Sequence, residues 1–297
     1  MRKESWAHIA VLFTNLFFAI NLSMVKHISP AVVGPYGLNI LRVGISVILF
    51  WLIWLFGKNY SGIHKKHLPR FILCGLTGVA INQMLFIKGL TMTSTIHASL
   101  LMLCTPLLIT IFAFWVLKEK ITIIKSLGLA MGIGGAVLLI LSKEKNGTAS
   151  LNGDMLIVLN AMSYTIYFIL VKPLMHEYQP LHVVRWVFTF GLFMILPFGW
   201  IQFNEISWAK FEWTHFVSLA MIVFCGTFLA YIFNAFGIKL LGAGITGSYI
   251  YTQPVFAAII AILFLKEPFS WGKLLAGILI FAGVFLVSRK TPPLIEE

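Results

Sequence analysis

The stretch from Thr95 to Glu119, TIHASLLMLCTPLLITIFAFWVLKE, is written a second time from Ala243 to Glu267 as AGITGSYIYTQPVFAAIIAILFLKE, 148 residues later. The identities fall where chemistry is restricted: Pro106 meets Pro254, and Leu117-Lys118-Glu119 meets Leu265-Lys266-Glu267. Carried outward, the match runs from Phe71 to Leu141 and sets Gly78 on Gly226, Gly89 on Gly237, Lys125 on Lys273 and Gly135 on Gly283. Small shifts of register bring Arg42 onto Arg185 and Lys26 onto Lys172. Self-similarity on this scale marks a duplicated unit, and two domains are expected, residues 1–145 and 146–297.

Each unit is a series of apolar runs. A bilayer core about 30 Å thick takes roughly 20 apolar residues per helical crossing. Ten such runs can be marked: 6–25, 35–56, 69–88, 95–117, 123–141, 153–172, 181–202, 214–236, 243–265 and 272–288. The predicted fold class is all-α, an integral membrane bundle of ten transmembrane helices, five per repeat. Composition agrees, because only 11% of the chain is charged and 59% is hydrophobic, whereas soluble domains carry roughly 25% charged residues. The longest connections, Gly57–Leu68, Ser142–Asn152 and Phe203–Trp213, leave no room for a soluble domain. Arg2 and Lys3 precede the first run, but no small-residue cleavage pattern follows it, so it is expected to be a retained helix. Cys74, Cys104 and Cys225 lie inside apolar runs without C-x-x-C spacing and fit small core positions better than a disulfide or metal site.

An odd number of crossings per unit makes the second copy enter the membrane from the opposite side, so the repeats are expected to be inverted. Lys and Arg gather on the cytoplasmic side. With the N-terminus inside, 14 basic residues fall in cytoplasmic segments and 7 on the other face, Arg42 lying too deep to count. Both termini are therefore expected in the cytoplasm, with Lys118-Glu119 inside and Lys266-Glu267 outside. The net charge of +12 needs no nucleic acid, because anionic lipid headgroups are a sufficient partner.

Two five-helix units, with Pro in the fourth helix and Lys-Glu at its end, resemble the EamA-type permeases of the drug/metabolite transporter superfamily. Asn21 and Lys26 in the first helix and Arg42 in the second fit the same pattern, which covers nearly the whole chain. Phe18 departs from it, since the family often has Trp there, and His97 is unusual in the motif. The resemblance implies a ten-helix bundle around a central cavity lined chiefly by helices 1, 3, 4, 6, 8 and 9, and a small-molecule substrate of unspecified class.

Polar groups at membrane depth are costly unless paired or wet, which makes them candidate site residues. The substrate-binding candidates are Asn15, Asn21, Asn82, Gln83, Phe86 and His97 in the first half, and Tyr164, Tyr231, Asn234, Tyr249 and Gln253 in the second. Pro106 and Pro254 each remove a backbone hydrogen bond in mid-span and are hinge candidates, a static kink being the alternative. At the 148 offset Gln83 faces Tyr231, Phe86 faces Asn234 and His97 faces Ile245, so the polar lining is unequal although the scaffold repeats. Arg42 and Arg185 suit either snorkelling to the headgroups or a part in anion binding or gating. No carboxylate is expected near a span centre, which speaks against cation/proton exchange, and His97 is the one candidate proton carrier well inside a span. Ser and Thr are expected mostly to bond back to their own helices.

No P-loop, H-E-x-x-H or Gly-x-Ser-x-Gly motif occurs, and neither a cofactor nor a metal is expected. A lipid-modifying membrane enzyme would need clustered His, Asp or Glu, and the pair His64 and His67 shows no accompanying carboxylate in sequence. The expectation is a plasma (inner) membrane secondary transporter, an exporter of small metabolites such as amino acids or related compounds, acting by alternating access. A vitamin, nucleobase or lipid translocator is the alternative. Small-residue faces such as Gly128, Gly132 and Gly135 are expected to pack helices within a monomer rather than to form a homodimer seam.

Overall fold

The structure is a computed structural model that describes residues 2–56, 62–117, 122–141, 150–267 and 270–288. The Lys118-Glu119 pair lies outside the described residues. The first five helices are α1 (Arg2–Ile28), α2 (Pro35–Phe56), α3 (Lys65–Met92), α4 (Thr95–Met102 continued as Cys104–Leu117) and α5 (Ile123–Leu141). They are followed by α6 (Leu151–Glu177), α7 (Pro180–Asn204), α8 (Trp213–Asn234), α9 (Tyr249–Phe264) and α10 (Trp271–Ser288). No strand occurs among the described residues. Eight helices are long and apolar enough to cross a membrane, while α9 and α10 are shorter apolar helices.

Several helices overrun the predicted runs at their charged ends, because a helix continues into the headgroup region where Lys, His and Glu are solvated. Thus α1 adds Lys26 and His27, and α6 adds His176 and Glu177. The predicted break before residue 243 takes an unexpected form. Helical backbone continues over Ala230–Ser248, yet a Cβ on Gly237 would stand 3.2 Å from the Thr246 hydroxyl. A straight helix separates nine residues by about 13 Å, so the helix axis breaks between Gly237 and Thr246 and the chain turns back there.

Four antiparallel pairings organise the bundle: α1 with α8, α2 with α7, α3 with α6 and α5 with α10. Gly226 lies against Asn21 and Gly237 against Val11, which runs α1 against α8 in opposite directions. In the same way Gly78 meets Tyr167 and Gly89 meets Gly153 between α3 and α6, and Gly128 meets Gly283 while Gly135 meets Ala276 between α5 and α10. Between α2 and α7, Gly199 packs on Tyr36 and Trp51 donates to the Thr189 hydroxyl at 3.0 Å. Exchanging helices 1–5 for 6–10 returns the same four pairings.

Two π-helical turns interrupt α3 at Leu76–Ala80 and α8 at Met221–Leu229. They occupy matching places in the repeat and contain its matching glycines. A Cβ at Gly78 would come within 2.4 Å of the Tyr167 ring, and one at Gly226 within 2.6 Å of the Asn21 amide. Only glycine allows a side chain of the partner helix to lie on the bulge. Outside, Phe193, Phe198, Ile201, Leu263 and Phe264 are exposed. That apolar face is suited to lipid, and Trp200, Trp208, Trp213 and Trp271, exposed near helix ends, suit the membrane interface.

Candidate functional site

At one end of the bundle five helices are tied together around the start of α4. Ser94 caps that helix, its hydroxyl accepting from the His97 N–H at 3.1 Å. The Glu267 carboxylate accepts from the Thr95 N–H at 2.8 Å and the Ile96 N–H at 3.2 Å, meeting two orphan donors and the positive end of the helix dipole. Lys26 at the end of α1 lies 3.6 Å from Glu267 and donates to the Thr93 carbonyl at 2.6 Å. Lys266, with φ of 53°, occupies the left-handed C′ position after α9, and the Glu267 N–H bonds back to the Ala261 carbonyl at 3.1 Å. That turn aims Glu267 at α4.

Beside this clasp lies a group that the sequence expectation missed. Asp154, in the first turn of α6, is 1% exposed. One of its oxygens accepts from the Thr93 hydroxyl, and the other stands 3.0 Å from His97 Nδ1. Asp154, expected among the loops and tails, is instead a buried carboxylate in the first turn of a span, though not near the span centre. Hydropathy put Asp154 one residue inside its run, at the edge where acids are usually solvated. Here Ser150 holds the α6 start against the Met92 carbonyl at 2.7 Å, which turns the side chain inward.

The other predicted site residues divide into three groups. Asn82 and Asn160 clasp each other's helices, Asn82 donating to the Asn160 carbonyl at 3.3 Å and Asn160 to the Asn82 carbonyl at 2.8 Å. The Asn15 amide bonds back to the Val11 carbonyl at 2.9 Å. A central group comprises buried Asn21, Gln83 and Phe86 with half-buried Tyr164, Tyr231 and Asn234. Tyr164 lies on Tyr167 with ring centres 5.6 Å apart, and Tyr231 packs edge-on against Phe188 at 4.9 Å and Phe18 at 6.2 Å. Tyr249 stands apart from these, its hydroxyl 2.8 Å from His8 Nδ1 near the start of α1, and Gln253 is buried one residue before Pro254.

The prolines follow breaks in their helices. Pro106 comes just after the interruption at Leu103, and Pro254 follows a 3-10 turn at Tyr249–Thr252. The Met102 carbonyl, which Pro106 cannot serve, accepts from the Thr105 hydroxyl at 2.9 Å. Its kink is thus internally satisfied.

Arg42 and Arg185 are both buried. Arg42 reaches α8, where its Nε and Nη2 donate to the Thr227 hydroxyl at 3.2 and 3.1 Å. Arg185 lies over three indoles, 4.7 Å from Trp51, 4.8 Å from Trp54 and 5.8 Å from Trp186. The expectation that His64 and His67 lack a carboxylate is also corrected. Glu177 lies 3.4 Å from His67 Nε2, while the Tyr178 hydroxyl is 2.8 Å from His67 Nδ1. Among the described residues no three His, Cys, Asp or Glu are grouped to hold a metal.

A bundle with an apolar outside and eight helices long and apolar enough to cross a membrane is a multi-pass membrane protein, and comparison with known proteins gives its kind. The model of the EamA-like transporter family matches the chain twice, over residues 5–141 and 151–289. The chain belongs to the EamA-like transporter family, and it is a transporter of the plasma membrane with a small-molecule substrate. The family and the relatives are transporters rather than enzymes. The uncharacterized transporter YetK of Bacillus subtilis (strain 168) is 26% identical over 263 residues, spanning 85% of this chain and 79% of that one. A "Probable terminal-alkyne amino-acid exporter" of Streptantibioticus cattleyicolor is 26% identical over 297 residues, spanning 98% and 95% respectively. A solved crystal structure superposes with a TM-score of 0.64 at 17% identity over 96% of this chain and 97% of that one, a likeness of fold.

Proposed function

We propose that the chain is a secondary exporter of small metabolites, amino acids or related compounds, working by alternating access. In this reading residues 1–145 and 146–297 are two inverted halves, both termini are cytoplasmic, and a single chain is the working unit. The observation that carries it is the set of four antiparallel pairings that survives exchange of the halves. Such a frame lets each half adopt the other's conformation in turn, so that a central site opens alternately to each side. Lys26 is held in the clasp with Glu267, whereas Lys172, its counterpart in the repeat, is exposed. The named activity of the Streptantibioticus relative supports the amino-acid class.

Comparative metabolomics tests the substrate and direction. Cells overproducing the chain are expected to enrich amino-acid-like compounds in the medium and deplete them inside, relative to cells lacking the gene. Unchanged pools would count against export. Inversion is tested separately with single cysteines at Lys118 and Lys266 and an impermeant maleimide. Labelling of the second from outside and the first only after permeabilisation is expected, and labelling of both from one face would overturn the inverted arrangement.

A further inference from the structure

Arg42 is a cation with no anion beside it among the described residues. It is 3% exposed, and the hydrogen bonds it makes go to a neutral hydroxyl, that of Thr227. Among the described residues no carboxylate lies within ion-pair distance of it: Asp154 is engaged by Thr93 and His97, Glu267 by Lys26 and α4, and Glu177 by Lys66 and His67. Its Nη1 has no hydrogen-bond partner there. A buried ionised side chain is retained when something pairs with it, since desolvation of a lone charge is among the costliest things a protein interior can contain.

The neighbouring groups give the missing partner a shape. Asn39 lies one turn before Arg42 on α2 and is fully buried, its amide donating to the Gln83 carbonyl of α3 at 3.0 Å. The side-chain oxygens of Asn39 and Gln83 are buried and accept nothing among the described residues. One guanidinium donor and one amide acceptor on α2, and a second amide acceptor on α3, thus stand buried on helices that α2 joins to one another and to α8, each left over after the protein's own bonds are counted. The Thr227 that orients Arg42 belongs to the π-helical turn of α8, a distortion frequent at functional sites. Tyr231, one turn further along α8, is the electrostatic neighbour of Arg42 and stands half-buried.

We infer that Arg42 anchors a carboxylate of the transported molecule, while the Asn39 and Gln83 amide oxygens accept from an N–H or O–H donor carried close to that carboxylate. The ligand class is a small amino or hydroxy acid. This inference rests on the transport reading above and adds to it the anchoring residue and the charge the substrate must carry. Arg42 fits the part better than a lysine would, because its planar fork can hold Thr227 with one edge and a carboxylate with the other.

Two measurements on the full-length chain test it. In the first, purified wild type, Arg42→Gln and Arg42→Lys are melted with a mixture of the common amino acids, with a mixture of lactate, malate and other hydroxy acids, and with the corresponding amides. At a ligand level about ten times its dissociation constant, wild type should gain roughly 3 °C from one of the carboxylate mixtures. The amides should give no rise, Arg42→Gln should lose the response, and Arg42→Lys should keep part of it. A wild type that neither carboxylate mixture stabilises, or a rise that survives in Arg42→Gln, would overturn the anchor. The second measurement repeats the metabolomics with Arg42→Gln. If wild type changes the pools and Arg42→Gln changes them equally, the anchor falls while the transport reading stands. If wild type changes nothing, the export reading falls, and the melting experiment still decides the anchor.

Discussion

Arg42 and Arg185 occupy matching places in the two halves and have unlike surroundings. Around Arg185 the other half supplies Trp51 and Trp54, and its own half adds Trp186, so three aromatic faces offset its charge. The residues that match Trp51 and Trp54 in the second half are Met194 and Pro197, neither of them aromatic. The relation reverses across the π-helical turns. Thr227 accepts from Arg42, while its counterpart in the first half is Val79, which can accept nothing from Arg185. The two cations thus differ in what offsets them: Arg185 is packed among indoles between α2 and α7, and Arg42 is buried against a neutral hydroxyl of α8.

The same comparison can be broken most forcefully at the start of α4. Thr93 and His97 correspond to Leu241 and Ile245, so the buried His97–Asp154 pair has no counterpart in the second half. Removing one partner leaves the other buried without its mate, and Asp154→Ala is expected to destabilise the chain by about 3 kcal/mol or more. Thermal unfolding of purified protein measures this. The double variant His97→Leu, Asp154→Leu makes this corner resemble the second half and should recover much of the loss, because apolar replacement of both members of a buried pair is often tolerated. A double variant less stable than Asp154→Ala would show that the pair is worth more than its isolated parts.

A smaller effect is expected at the π-helical turns, where the halves agree in backbone and differ in side chain. The Tyr167 ring lies over Gly78 and the Asn21 amide over Gly226. Gly78→Ala forces a Cβ into the ring and should cost about 1–3 kcal/mol, as overpacking usually does. Tyr167→Ala combined with Gly78→Ala should cost less than the two single changes added together, the lost ring rescuing the Gly78 clash, whereas the same Tyr167 change should rescue nothing of Gly226→Ala. Rescue of both would mean that the two bulges are strained through the bundle as a whole rather than by the side chains pressed on them.

The fold was largely legible because membrane helices announce themselves: apolar length marked ten runs, which the structure shows as eight helices long enough to cross a membrane and two shorter apolar ones. What escaped were side-chain partnerships that depend on rotation about a helix axis. Asp154 is one residue inside its run, and only the docking of Ser150 on Met92 decides that it faces His97 instead of water. Asn82, prominent as a binding candidate, gives its amide to the Asn160 carbonyl of a helix 78 residues away, a pairing that no local pattern carries. Asn39 and Thr227 escaped for the opposite reason, since a single polar residue in an apolar run reads as ordinary helix packing until an unpaired cation is found beside it. Lys26 and Glu267 were visible as motif residues, but their joint hold on α4 required the left-handed turn at Lys266.

The mildest variant gives the sharpest test of the two arginines. Arg185→Met removes a cation held over three indoles and puts in its place an apolar, flexible side chain that can fill the same gap. What is lost is cation–π attraction, about 0.5–2 kcal/mol at a site shielded from water, together with the 3.0 Å contact to His182 Nδ1. What is gained is relief from burying a charge, so the net cost in melting should sit at the low end of that range. Transport by Arg185→Met should stay within about twofold of wild type, since substitutions away from a site usually act through stability alone. Arg42→Met should show the opposite pattern, a protein at least as stable as wild type whose transport is lost, because the charge it removes has no counterion among the described residues to leave behind. Equal loss of transport in the two variants would mean that both arginines serve the moving bundle, and the division of labour drawn from their surroundings would fail.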